Sequence, residues 1–327
     1  MKAAWYEQFG APDDVLTVGE LEDPKPGPGE VLVRLKTSSV NPSDVKKRAG
    51  SFPNLLDDGY VIPHSDGSGV IESVGEGISG DRVGDEVWVY QAQYGRRFGT
   101  AAELVTVGNE RAPLLPEGVT HEVGACLGIA VMTAHRCVFA DGPVAGQTIL
   151  ITGGAGRVGH YAIQWAHNAG ARVIATASND QDRQACTEAG ADAVVNHREE
   201  NWSAEVQAAT DGQLVDRVVE VEFGANLSEV LKLARIGATI ATYSSTQDPQ
   251  PKLPFYQMMY MDLKIRLVIV YAMPEEAKRG AIADIDEACR TGKLQHRVAH
   301  VLGLDEIAKA HVLIESGGFR GCVVVRP

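Results

Sequence analysis

Ile149-Leu-Ile-Thr-Gly-Gly-Ala-Gly-Arg-Val-Gly159 decides the fold. The apolar run that opens it cannot continue as a long helix, because glycines follow Thr152. Apolar residues then recur at helical spacing at Val158, Ala162, Trp165 and Ala169. A strand, a tight turn and a helix in that order place Gly154, Gly156 and Gly159 in a G-x-G-x-x-G pattern. In that pattern the first glycine permits the reversal, the second lets a pyrophosphate approach the backbone, and the third lets the helix pack close to its strand. Gly154, Ala155, Gly156, Arg157, Val158 and Gly159 are therefore the expected dinucleotide-binding turn. The N–H groups of the first helical turn, with the positive end of the helix dipole, face the phosphates.

Beyond this unit, apolar strands are expected at 172–177, 193–196, 217–221, 238–243 and 265–270, with helical stretches between them. Gly170, Gly190 and Gly237 read as left-handed stops at helix ends. With 149–152 this makes six strands joined by helices, an α/β doubly wound parallel sheet covered on both faces. Upstream, short strands at 2–7, 30–36, 68–74, 86–90 and 101–107 alternate with Gly- and Pro-rich turns, most densely at Pro24-Lys-Pro-Gly-Pro-Gly29, and predict a small β-rich domain. Downstream of Tyr271, a helix opening at Pro274, a strand near 297–302, a helix over 305–315 and a strand over 321–325 are expected to return to that first domain. The domain bounds read from the sequence are 1–117, 118–270 and 271–327.

A chain of 327 residues favours two domains over one core. Its net charge of −13 argues against nucleic acid or an anionic membrane surface as partner, since both require clustered Lys and Arg. Met1-Lys-Ala-Ala-Trp-Tyr-Glu-Gln carries polar and acidic residues where a secretory signal needs its apolar stretch, and no apolar run has membrane-spanning length, so a cytoplasmic location is expected. Five cysteines, far apart and without a C-x-x-C pair, read as reduced thiols.

Val40-Asn-Pro-Ser-Asp44, the turn at 153–159 and Asn196-His-Arg-Glu199 together resemble the zeta-crystallin-like quinone oxidoreductases, the zinc-independent branch of the medium-chain dehydrogenase/reductases. The likeness extends over essentially the whole chain, through Pro63-His-Ser-Asp-Gly67, Gly84-Asp-Glu-Val87 and Met132-Thr-Ala134. It implies a GroES-like β domain, an inserted Rossmann domain and a C-terminal return. It also implies NADPH as cofactor and a homodimer formed near the last Rossmann strand.

Where zinc-dependent relatives carry a cysteine, this chain has Asn41; where they carry a His-Glu pair, it has Ser65-Asp66; and no cysteine stands near Gly128. His64 is the one possible ligand nearby. No metal is therefore expected, and hydride delivery to an electron-poor acceptor is favoured over alcohol oxidation. For the adenosine end, Ser178 stands 19 residues past Gly159, where an NAD-preferring site usually places Asp or Glu. Its small neutral side chain leaves room for a 2′-phosphate, with Arg183, His197 and Arg198 as counter-charges and Asp180 and Asp182 opposing. The resemblance implies that His197 is the phosphate contact.

At the nicotinamide end, the resemblance places Thr133 beside the ring and Asn226, Tyr243, Ser244, Ser245, Val268, Ile269 and Val270 along its far side. Tyr243-Ser-Ser-Thr246 replaces the glycine-rich strand end usual there. Asn41 and Asp44 are the candidate catalytic residues. Asn41 reads either as a donor to a substrate oxygen or as a turn opener, and Asp44 as a helix cap. No nucleophile with a paired base is present, and solvent suffices as proton source. The function expected is NADPH-dependent reduction of a quinone. Alternatives are reduction of an enal or enone C=C bond, with Tyr60, Tyr94 or Tyr243 as proton donor, and a non-enzymatic NADPH-binding protein.

Overall fold

The computed structural model describes residues 1–327 and divides the chain into two compact units, one of 1–129 with 285–291 and 296–327, the other of 130–284 with 292–295. These limits differ from the sequence bounds at 117 and 270. The short helix His121–Gly124 packs on the first unit's sheet, where the Thr37 hydroxyl donates to the His121 carbonyl at 2.6 Å and His121 Nδ1 lies 2.8 Å from Ser68 Oγ.

The first unit begins with an antiparallel pair, β1 (Lys2–Trp5) and β2 (Thr17–Glu20), followed by β3 (Glu30–Val40), β4 (Asp66–Val74), β5 (Glu86–Val89) and β6 (Leu104–Gly108). Strand β3 outruns its expected end at residue 36. Thr37, Ser38 and Ser39 look like a polar break in the sequence, yet all three are buried and hydrogen-bonded. Leu32, apolar on the second face, is buried along with Val31 and Val33.

In the second unit β7 (Thr148–Ile151), β8 (Arg172–Ala177), β9 (Ala193–Asn196), β10 (Val215–Glu220), β11 (Ala234–Thr242) and β12 (Lys264–Leu267) form one parallel sheet in the order β12-β11-β10-β7-β8-β9. This is the doubly wound order, with its reversal between β7 and β10. Leu150, Ile174, Val218 and Ile240, one from each of four strands, share a core with Phe223, Leu227 and Leu231 of the helix Phe223–Leu233.

Two expectations need correction here. Strand β12 ends at Leu267 rather than 270, because its partner β11 stops at Thr242. Val268 N–H still donates to Thr242 O at 2.7 Å, after which the chain turns into a 3₁₀ segment, Val270–Ala272. Gly170 and Gly190 do follow helix ends in left-handed conformation, but Gly237, at φ +77°, lies inside β11, next to an irregularity in its pairing with β10. The helix before it ends at Leu233 and enters the strand directly.

Strands β13 (Val298–Gly303) and β14 (Cys322–Arg326) return to the first unit, β14 pairing with β3 to give the order β13-β14-β3-β4-β5, with β6 also on β3. No helix is long and apolar enough to cross a membrane.

Asp141 ties the edge of the parallel sheet to its interior. It accepts from Arg266 Nε on β12 at 2.9 Å and from Arg217 Nη1 on β10 at 3.2 Å, and Arg217 also donates to the Cys137 carbonyl. The Arg266 guanidinium, followed by Arg217, pulls the Asp141 carboxyl down to about 2 from its ordinary 3.8. A carboxylate depressed in the folded state contributes stability above its unfolded pKa and loses it as pH falls through the folded one. Asp141→Asn strips a 3% exposed Arg217 of its counter-ion and should cost about 3–5 kcal/mol at pH 7. In denaturant titrations about 2–3 kcal/mol of the gap from wild type should be lost between about pH 4 and pH 2. A gap undiminished at pH 2 would show that ionisation of Asp141 contributes nothing to it.

Candidate functional site

The glycine turn is pinned to the neighbouring strand: Gly153 N–H donates to Thr176 Oγ1 at 3.0 Å and Gly154 N–H to Thr176 O at 2.9 Å. The reversal belongs to Gly153, at φ +61°, and not to Gly154 as the motif suggests. Gly154 lacks a side chain for a different reason: a Cβ there would lie 2.8–3.0 Å from Cys186 Sγ, Ala175 Cβ and Ile163 Cδ1. Gly156 caps the helix Arg157–Asn168, and its added Cβ would meet only Gly153 O at 3.1 Å, so the turn presents an open face there. At Gly159 a Cβ would stand 2.4 Å from Gly153 O, which is the close helix–turn packing expected of the third glycine. Ala155 is buried, while Gly156, Arg157 and Val158 reach the surface. A backbone bare on one side, at a helix N-terminus beyond the carboxyl end of β7, fits a dinucleotide's pyrophosphate.

At the ends of β8 and β9, the pairing of Ala177 with Asn196 brings Ser178 and His197 onto neighbouring positions. Asp182 is buried and accepts from Asn179 Nδ2 at 2.9 Å, in the same cap where its N–H donates to Asn179 Oδ1, so its charge is engaged locally. The Arg183 guanidinium donates to Val194 O, the second residue of β9. Burial, with Arg198 beside it, holds His197 below the ordinary histidine value, so its neutral ring offers a hydrogen bond rather than a charge.

Tyr243, Ser244, Ser245, Val268 and Ile269 converge on one cavity of about 250 Å³, closed by Phe223, Thr242 and Leu267. Ser245 Oγ accepts from Gly224 N–H at 2.9 Å and donates to Asp248 O, so this hydroxyl fastens the loop. Burial keeps the Tyr243 phenol protonated far up the pH scale. Val270 is buried in the 3₁₀ segment and does not line the cavity, and Thr133 is buried in the helix Met132–Phe139. Asn226 instead turns to a carboxylate, donating to Glu220 Oε1 at 2.9 Å.

In the first unit Asn41 precedes the helix Pro42–Arg48 and its N–H donates to Asp44 Oδ2 at 2.8 Å. Its amide Nδ2 donates to Asp66 Oδ2 at 3.0 Å, an oxygen that also receives the Ile129 N–H at 2.8 Å, while Ser65 Oγ donates to Asp44 Oδ1 at 3.3 Å. Asn41, Asp44 and Asp66 are all buried. A Cβ on Gly128 would stand 2.2 Å from Asp66 Oδ1, so the Asp66 carboxyl fills the space a side chain at 128 would need. His64 is engaged through both ring nitrogens, Nδ1 with Ser38 Oγ at 2.8 Å and Nε2 with His311 Nε2 at 3.0 Å, and burial pushes it down to about 3. No three His, Cys, Asp or Glu side chains converge as a metal-ligand set.

Sequence reasoning passed over three residues. Gly153 is hidden beside two other glycines. Lys47 reads as part of a solvated Lys-Lys-Arg helix end, yet it is buried, donates to Gln93 Oε1 at 3.1 Å, and is lowered by that burial. Glu220 reads as the polar end of a strand, although an acid between Val219 and Val221 in an apolar run was the available signal.

Residues 27–140 match the alcohol dehydrogenase GroES-like domain and residues 158–287 the domain described as zinc-binding dehydrogenase. The quinone oxidoreductase of Rattus norvegicus is 32% identical over 241 residues, 73% of this chain and 72% of the relative. Among solved structures, a mycobacterial protein complexed with NADPH is 26% identical with a TM-score of 0.87, and an NAD-dependent alcohol dehydrogenase is 29% identical with a TM-score of 0.87; each superposition covers 100% of both chains.

Proposed function

The chain belongs to the medium-chain dehydrogenase/reductase family, on its zeta-crystallin-like side, and from that premise we propose that it is an NADPH-dependent, zinc-independent reductase of quinones. The observation that carries the cofactor assignment is the open Gly156 turn, with small neutral Ser178 beside His197 at the adjoining strand ends. NADPH supplies the hydride when bound. This chain's residues bind and orient it: 154–159 receive the pyrophosphate; Ser178, Arg183, His197 and Arg198 the 2′-phosphate; Tyr243, Ser244, Ser245, Val268 and Ile269 the nicotinamide side. A quinone is already electron-poor and needs no Lewis acid, in keeping with an Asn41–Asp66 pair engaged in hydrogen bonds where metal-dependent relatives present ligands. Tyr243 among the cavity's lining residues favours a second reading, enone reduction, in which its hydroxyl supplies the proton.

Loss of NADPH absorbance with menadione or phenanthrenequinone, against a 2-alkenal and against NADH, tests the assignment. Quinone turnover with NADPH is expected. Turnover of the alkenal alone selects the second reading, and tight NADPH binding with no turnover moves the protein to a non-enzymatic role. Activity should survive exhaustive chelation; stoichiometric zinc with activity lost on its removal would overturn the zinc-independent assignment. A homodimer paired along β12 completes the proposal.

A further inference from the structure

In an open doubly wound sheet the ligand lies in the crevice beyond the carboxyl ends of the strands, where the strand order reverses. Here that crevice falls between β7 and β10, and Glu220 is the last residue of β10. The side chain is fully buried. Its Oε1 accepts three hydrogen bonds, from Thr152 Oγ1 at 2.8 Å, the Glu222 N–H at 2.6 Å and Asn226 Nδ2 at 2.9 Å. Its Oε2 has no partner and no solvent contact. Thr152 is the residue after β7 and leads into the glycine turn, and its Oγ1 also accepts from Val221 N–H at 3.0 Å. Asn226 lies in the first turn of the helix Phe223–Leu233. One oxygen thus joins the end of β7, the end of β10 and the helix that follows.

We propose that Glu220 is a positioning residue for the nicotinamide dinucleotide: by gathering Thr152, the Glu222 N–H and Asn226 onto one oxygen, it holds the glycine turn and the reversal-point crevice in the shape that receives the cofactor. This rests on the reading of the crevice as the dinucleotide site. A bare, buried Oε2 is costly as half of a carboxylate and far less so as the protonated half of an acid. Burial accordingly raises Glu220 above the ordinary carboxylate value, outweighing the three hydrogen bonds on Oε1, which favour the ionised form, while the Glu222 carboxylate opposes it. The other groups facing it are Tyr243, past the end of β11, and the neutral Thr152 and Asn226. In the acid form Glu220 places no charge beside a pyrophosphate; ionised, it opposes one.

The test compares dissociation constants for NADPH, read by nucleotide fluorescence between pH 6 and 9, in full-length wild type, Glu220→Gln, Glu220→Ala and Thr152→Val. Glu220→Gln keeps an acceptor for all three donors and cannot ionise. It is expected within about threefold of wild type at the acid end, and to lack the weakening of wild-type affinity that sets in as pH rises through the Glu220 value. Glu220→Ala is expected to weaken binding about tenfold or more, on the scale of lost hydrogen-bonded positioning. Thr152→Val, which leaves the Glu220 side chain in place and removes the Thr152 hydroxyl with its bonds to Glu220 Oε1 and the Val221 N–H, is expected to weaken it by about tenfold and carries the test if the alanine variant does not fold. Weakening in Glu220→Gln equal to that in Glu220→Ala, or wild-type affinity in both Glu220→Ala and Thr152→Val, would overturn the proposal while leaving the cofactor assignment standing. A wild type that binds neither NADPH nor NADH overturns both.

Discussion

Replacing Gly156 with valine is expected to abolish NADPH binding and leave the chain folded. The open face at this position is the reason both halves of that result go together. An added Cβ meets only the Gly153 carbonyl oxygen at 3.1 Å, a contact a small backbone shift relieves, so folding is preserved. The valine methyls, however, project from the N-cap of the helix Arg157–Asn168, into the space through which a pyrophosphate must reach the backbone. Two charge-assisted hydrogen bonds lost there amount to about 3–6 kcal/mol, or about 10²–10⁴ in dissociation constant. Gly159→Ala provides the contrast, since its Cβ would stand 2.4 Å from the Gly153 oxygen and 2.9 Å from Gly154 Cα, so it should lower the melting temperature as well as affinity. NADPH affinity unchanged in Gly156→Val, with a native circular-dichroism melt, would remove this turn from the cofactor site.

The parallel sheet was legible because its evidence is local: an apolar run of strand length, a glycine turn and a helical repeat are all read from neighbouring residues. The same locality explains what was misread. Three glycines at 153, 154 and 156 satisfy a pattern without revealing which takes a positive φ, and only the packing of residue 154 against Ala175 and Cys186 separates the roles. Gly237 sits where a helix stop belongs, but the preceding helix ends at Leu233 and the glycine serves the strand. An apolar Val268-Ile-Val270 extends a strand on paper; a ladder needs a partner, and β11 has ended. The site's polar interior was the least legible part. Asn41 meets Asp66 across 25 positions and Glu220 meets Thr152 across 68, separations no sequence period carries.

That shortened strand decides which substitutions can test the proposed homodimer. Val268→Pro removes the N–H that already donates to Thr242 within the chain, and Val270→Pro falls on a residue buried in a 3₁₀ turn, so either one damages the monomer before it reports on association. The surface itself is described by what stands exposed along and before β12: Leu267 at 77%, Ile269 at 57%, and Phe255, Tyr256, Met259 and Tyr260 on and beside the helix Phe255–Tyr260. Aromatic and Met side chains of this kind compose interface cores, and β12 is an edge strand with unpaired backbone groups on one side. Two copies related by a two-fold axis satisfy both needs at once, the edge by strand pairing and the apolar side chains by mutual burial. Sedimentation at micromolar concentration is therefore expected to give twice 35.0 kDa. Leu267→Lys with Ile269→Lys, both at exposed positions and costing the monomer little, places four lysines in the symmetric interface. It should weaken association by at least about 3 kcal/mol, more than a hundredfold. A wild type that sediments at 35.0 kDa would dispose of the dimer, and a double variant as dimeric as wild type would move the interface to another face.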